Sequence, residues 1–303
     1  MLLNELYNLK NPDGSRLLDC PKFLLTNTLY LTKMGSQAYG VSTDNSDYDV
    51  YGLAMPRLGQ IFPHLDGCIP GFGHQTSPFN SYQQHHINDP DKDVEYDLNI
   101  FGIVKYFEKC MDCSPNMIDS LFTPDNMVIH ITRVGQMIRE NRKLFLCKKA
   151  WHSFKGYAHG QLHKMEGKKP EAGSKRDVLR QKFGFDVKYA YHIYRNLSQV
   201  GQILTEGDLD LQEPGRREVM KEIRRGEWTE KDIRDWFSEN EKAMEQLYID
   251  SKLPHTPREE EIKTLLLNCL EEHYGSLDKA LHVPDRLEKT ILDIKGLIEK
   301  SGL

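Results

Sequence analysis

In Asp47-Tyr48-Asp49 two carboxylates stand at i and i+2, and that spacing restricts what the chain can fold into. On a strand both side chains leave the same face of a sheet, while Tyr48 turns the other way into packing. Shortly before it comes Gly35-Ser36, in the run Gly35-Ser36-Gln37-Ala38-Tyr39-Gly40. A glycine at a turn lets backbone approach a phosphate closely, and the Ser36 hydroxyl with nearby N–H groups offers donors to phosphate oxygens. Ser46, directly ahead of the carboxylates, is placed to contact a phosphate or to cap the turn.

A second acidic segment, Val94-Glu95-Tyr96-Asp97-Leu98, repeats the spacing. As a neighbouring strand it would bring a third carboxylate to the same place. Asp97 is the first choice; Glu95 is the second, or a helper that tunes the local charge. Three clustered carboxylates repel one another unless cations sit between them. Hard ions such as Mg²⁺ (or Mn²⁺) take carboxylate oxygens, and a pair of them suits phosphoryl transfer, which needs charge neutralised and two oxygens held in line. A calcium loop does not fit, because the glutamate at its twelfth place is missing.

Around these segments the pattern is mixed. Phe23–Thr32 reads as a strand or helix–strand unit entering a turn, with further strands expected over Tyr48–Leu53 and Val94–Ile100. Pro63 to Asp93 is rich in Pro, Gly, His, Gln and Asn, and reads as a long surface excursion rather than a core element. Helical spacing begins at Ile103, and after about Phe145 nearly everything reads as helix: Trp151–His163, Phe183–Leu204, Glu218–Ile223, Thr229–Tyr248, Pro257–Glu272 and Arg286–Glu299. The fold class is therefore α+β: a small mixed β-sheet domain flanked by helices over residues 1–145, then a mostly helical domain over 146–303.

Composition removes other classes. With 40 basic against 45 acidic residues the formal charge is −5, so any nucleic-acid contact must be local. No stretch approaches the apolar length of a membrane span, and the first residues lack a secretory pattern, so a cytoplasmic protein is expected. Six scattered cysteines read as free thiols, and Cys110-x-x-Cys113 lacks the partner pair that a zinc site needs.

Gly35-Ser36, Asp47-x-Asp49 and the later acidic strand resemble the signature of the DNA polymerase β superfamily of nucleotidyltransferases. More particularly, the run from Gly35 to Gly40 with Ser46-Asp47-Tyr48-Asp49-Val50-Tyr51-Gly52 resembles the RNA-ligase-associated subfamily of bacteria and their phages. Lys105-Tyr106-Phe107 with Ser114-Pro115-Asn116 is similar to that subfamily's helix ending in an Asn-Pro turn, with Ser114 where the asparagine is expected. Phe154-Lys155-Gly156-Tyr157, Lys188 to Arg195 and Leu253-Pro254 resemble its helical half. Lys188, His192 and Arg195 fall at i, i+4 and i+7, one helical face that could receive a triphosphate, an RNA phosphate or a substrate carboxylate. An exposed basic face has the same spacing, and the resemblance at these positions favours the nucleotide.

The resemblance implies transfer of a nucleoside monophosphate from an NTP to an acceptor hydroxyl, with an RNA end as candidate acceptor and pyrophosphate as product. Asp47 and Asp49 would hold both metals and Asp97 the one that activates the acceptor. Two rivals remain on the sequence: a nucleotide-binding regulator without turnover, and an enzyme that modifies a small molecule or a protein. Lys168-Lys169, Lys175-Arg176, Arg216-Arg217 and the stretch from Lys221 to Arg225 are basic patches that could guide an RNA strand.

Overall fold

The computed structural model describes residues 2–11, 13–42, 47–92, 94–167, 171–275 and 294. Ser46, Lys168-Lys169 and, residue 294 apart, the helix expected over Arg286–Glu299 lie outside the described residues.

The chain opens with α1 (Leu2–Asn8) and α2 (Leu24–Asn27), which feeds β1 (Thr28–Lys33). After α3 (Gly35–Ala38) come β2 (Tyr48–Ala54), α4 (Leu58–Ile61), β3 (Ser81–Asp89) and β4 (Val94–Gly102). Helices α5 (Ile103–Met111) and α6 (Pro115–Phe122), strand β5 (Val128–Ile131) and α7 (Arg133–Glu140) follow. The second half runs through α8 (Lys149–Gly167), α9 (Lys175–Phe183), α10 (Val187–Glu206), α11 (Pro214–Arg225), α12 (Glu230–Asp250) and α13 (Glu259–Tyr274). Among the described residues the strands form one five-stranded sheet in the order β3-β4-β2-β1-β5. Only β2 and β4 run parallel; the other pairs are antiparallel. This is an α+β fold with a mixed sheet, as the sequence pattern requires.

Strand alternation assigns each face its own core. Leu31, Val50, Ala54, Tyr96, Leu98 and Ile100 pack with the N-terminal residues Leu3, Leu6, Leu18 and Leu24 on one side. Leu29, Leu53 and Phe101 turn to the other side, into a cluster that runs through Trp151, Phe154, Ile193 and Leu197 of the helical half. Residues 49, 95 and 97 share the parity of Leu53 and Phe101, so their carboxylates stand on the face the helices cover. Phe145 and Leu146, beside the expected domain boundary, are buried in that shared cluster.

Two segments depart from the sequence reading. Pro63 to Asp93 is not a plain excursion, because β3 pairs along its length with β4. Its residues are mostly exposed, so it has little of the apolar alternation that marks a strand, and backbone pairing at the sheet edge carries it. The expected helix Phe183–Leu204 is divided at left-handed Gly184 (φ +84°). Ser174 caps α9 by accepting from the Asp177 N–H, and Asp186 caps α10 by accepting from the Lys188 N–H.

All six cysteines are free thiols. Cys110 and Cys113 are both buried, with the Cys113 sulfur 3.5 Å from that of Cys147.

Candidate active site

The parallel β2–β4 pairing sets Asp49 directly opposite Asp97. Asp47, directly ahead of β2, joins them, so that three carboxylates line a cavity of about 600 Å³ together with Ser36, Lys188 and Tyr191. Burial raises the Asp49 carboxyl above its ordinary range; Lys188 opposes that shift, and the nearby Asp97 and Asp47 charges add to it. A raised carboxyl beside two others concentrates carboxylate oxygens at one point of the cavity. Hard divalent cations, which take several carboxylate oxygens at once, fit it.

Gly35 supports this arrangement from below. It has φ +60°, and a Cβ at its position would meet Asp49 Oδ2 at 2.1 Å. The Met34 N–H donates to the Asp49 carbonyl at 2.7 Å, which ties the turn to the strand. Glycine is thus required twice, for the left-handed backbone and for the space the carboxylate fills. Gly35→Ala is expected to destabilise the protein by about 1–3 kcal/mol through strain at that backbone position. It should also displace Asp49 and reduce turnover at least tenfold, read by thermal unfolding alongside nucleotide transfer; wild-type turnover would contradict this account of the turn.

β3 contributes groups that the sequence reading passed over. Between Gln84 and Ile87 three steps of β3 oppose two of β4, a bulge that brings two consecutive histidines toward the acids. His86 adopts φ +56°, donates its N–H to Asp97 Oδ1 at 2.9 Å, and sets its ring Nδ1 2.5 Å from Glu95 Oε1. His85 Nδ1 lies 3.4 Å from Asp97 Oδ1. One ligand atom from each of His86, Glu95 and Asp97 falls within 4.8 Å of the others. The signal for these residues in the sequence was the pair His85-His86 itself, but only the bulge aims both rings at one strand.

The three α10 residues separate. Lys188 lines the cavity and is the cation acting most strongly on Asp49. His192 stacks on Tyr191 with ring centroids 4.2 Å apart, and burial first, then Arg195 and Lys188, holds its imidazole well below its ordinary range. It is neutral at physiological pH and supplies no positive charge. Arg195 is buried, its guanidinium 4.4 Å from the centre of the Tyr39 ring and Nη1 3.4 Å from Asp119 Oδ2. It also donates to the Tyr39 hydroxyl. A straight stripe on a helical wheel thus divides into one cavity cation, one neutral ring and one internal ion pair.

The opposite wall of the cavity is basic: Arg176 of α9 and Lys221, Arg224 and Arg225 of α11 line it, with Leu179 and Val187. Arg176 is held 3.4 Å from Asp186. Arg216 is buried and donates to the Asp210 carbonyl and to Gln202, so it belongs to the packing and not to the basic wall.

A mixed sheet carrying paired carboxylates beside a glycine–serine turn, faced by cations from a helical half, is the arrangement of a polymerase β-type nucleotidyltransferase. The family model described as RNA repair pathway DNA polymerase beta family (RlaP) matches residues 12–284. The chain therefore belongs to that family and is a nucleotidyltransferase. No curated protein matches the sequence significantly. A solved structure of a nucleotidyltransferase-like protein from Exiguobacterium sibiricum 255-15 aligns over 93% of this chain and 88% of that chain, at 9% identity and a TM-score of 0.28. No helix among the described residues is long and apolar enough to cross a membrane.

Proposed function

We propose that the chain transfers a nucleoside monophosphate from an NTP to a hydroxyl at an RNA end, releasing pyrophosphate. The observation that carries this reading is the in-register pair Asp49 and Asp97, with Asp47 beside them, in one cavity with Ser36 and Lys188. The family's description, which places it in RNA repair, supports RNA as the acceptor.

In this reading Asp47, Asp49 and Asp97 hold two divalent ions, Mg²⁺ or Mn²⁺, with Glu95 as the helper. Those ions supply neutralisation of the triphosphate and a lowered pKa for the acceptor hydroxyl. The residues of the chain do the rest. Ser36 donates to a phosphate oxygen above the Gly35 turn, and Lys188 opposes the negative charge that gathers at the triphosphate. Asp97 takes the proton of the acceptor hydroxyl, and His85 and His86 fix the orientation of its carboxylate. The acceptor oxygen bonds to the α-phosphorus as the bond to the β-phosphate oxygen breaks, and pyrophosphate leaves. His192 and Arg195 act behind the cavity wall: the first packs Tyr191, the second holds Tyr39, four residues beyond Gly35. Residues 1–145 form the nucleotidyltransferase domain and 146–303 the helical domain that closes the nucleotide cleft, in a cytoplasmic protein.

The test is incubation of the protein with each α-labelled NTP, Mg²⁺ or Mn²⁺, and oligoribonucleotides with free hydroxyl ends. Label on RNA that requires the metal, and disappears with a chelator, is the expected result. Label that goes instead to protein or to a small molecule would move the acceptor to another class.

A further inference from the structure

The cavity holds more positive charge than the proposed nucleotide uses. Among the described residues five cationic side chains line it, Arg176, Lys188, Lys221, Arg224 and Arg225, against three carboxylates, Asp47, Asp49 and Asp97. A nucleoside triphosphate carrying two divalent ions is close to neutral, so its entry leaves the basic wall faced by the Asp186, Glu218 and Glu227 carboxylates beside it. The remaining reactant is the acceptor. A cationic acceptor would be repelled by this wall and a neutral one would gain nothing from it, whereas a strand of phosphodiesters meets a matching one.

The cations also divide by position. Lys188 acts most strongly on Asp49, next to the carboxylates, and Arg176 is engaged with Asp186. Lys221, Arg224 and Arg225 stand at i, i+3 and i+4 on α11 and so form one row on one face. Arg224 lies over the Tyr191 ring at 5.5 Å, which sets its guanidinium toward the cavity. Lys221 and Arg225 face Glu218 at 3.5 and 3.7 Å, and Arg225 also meets Glu227 at 2.5 Å. Glu218 and Glu227 are exposed, and surface pairs of this kind hold weakly, so incoming phosphates displace them readily.

We infer that the α11 row Lys221-Arg224-Arg225 is the acceptor-strand site, binding backbone phosphates of a single-stranded RNA end and leaving the triphosphate to Ser36, Lys188 and the carboxylates. The inference rests on the proposed transfer reaction, yet its binding half can be read without any turnover. Fluorescence anisotropy with a labelled twelve-nucleotide RNA compares the wild type with Lys221→Gln/Arg224→Gln/Arg225→Gln. At about 0.1 M salt the triple variant should bind RNA roughly 100-fold more weakly, and the slope of log K against log salt should fall by about 2. Affinity for a non-hydrolysable α,β-imido NTP with Mg²⁺ should change less than about threefold in calorimetry, a smaller loss than a single phosphate contact would give. A charge-conserving Lys221→Arg/Arg224→Lys/Arg225→Lys variant should keep wild-type RNA affinity. Should the neutral triple variant not fold, Arg225→Gln at its exposed position reads about a third of the slope change.

Unchanged RNA binding in the neutral variants overturns the inference. So does a loss of NTP affinity equal to the loss of RNA affinity, since the row would then belong to the triphosphate. If RNA binding depends on the row but the wild type transfers no nucleotide, the acceptor site stands and the proposed reaction falls.

Discussion

Asp49→Asn should lose nucleotide transfer by at least about 10³-fold, equivalent to about 4 kcal/mol of transition-state stabilisation, while the protein unfolds at the same temperature or higher. The two halves of that result have one cause. Burial and the neighbouring Asp97 and Asp47 charges raise the Asp49 carboxyl, so the folded protein disfavours the charged form that the chemistry needs. A carboxyl whose folded pKa lies above its unfolded value withdraws stability as pH rises through the folded value, and restores it as pH falls toward the unfolded one. The neutral amide keeps the shape and removes that penalty. Thermal melts of the wild type should therefore show the Asp49 penalty above its raised pKa, and the variant should lack that component of the pH dependence. A variant that is both active and unchanged in its melting profile would place the charge elsewhere.

Arg195→Met should destabilise the fold by about 3–5 kcal/mol in urea unfolding, the cost of leaving a buried charge without its partner. Asp119 is fully buried and receives the Tyr39 hydroxyl at 2.7 Å and the Gln199 amide at 3.1 Å, with Arg195 Nη1 3.4 Å away. Burial pushes the Asp119 carboxyl up, and Arg195 is the strongest group pulling it back. Removing both charges together, as Arg195→Met/Asp119→Leu, should recover much of the loss, because apolar replacement of an internal pair is often nearly neutral. The same network ends at Tyr39, directly after α3, so Arg195→Met should raise the KM for NTP as the glycine–serine turn loosens. If the double variant is no better than the single one, the ion pair is not what holds this junction.

The face of Asp49 was legible in the sequence because strand parity is fixed once β2 is a strand, whereas Asp47 stands directly ahead of β2 and lines the cavity from outside the ladder. The opposition of Asp49 to Asp97 needed one more fact, the parallel register of β2 and β4, which no local pattern encodes. β3 escaped notice because an edge strand made of Ser81, Tyr82, Gln83, Gln84, His85 and His86 buries little on either face, and its bulge breaks what alternation remains. α9 is absent from the helices read in the sequence although Ser174, Asp177 and Gly184 mark its two ends, because Lys175-Arg176 reads as a basic patch there. The helical wheel placed Lys188, His192 and Arg195 on one side correctly, but it carries no information about partners. Asp119 and Tyr39 lie 76 and 156 residues from Arg195, and only their approach in three dimensions turns a basic side chain inward. The basic row of α11 was visible as a charge run, and its place on the cavity wall was not.

The most direct test of the catalytic reading is a side-by-side count of product and by-product: labelled RNA and released pyrophosphate, from α-labelled NTP, metal and a hydroxyl-ended oligoribonucleotide. In the wild type the two should appear in equal amounts, and both should vanish in Asp97→Asn. Pyrophosphate without labelled RNA, or equal yields of both from Asp97→Asn, would contradict it.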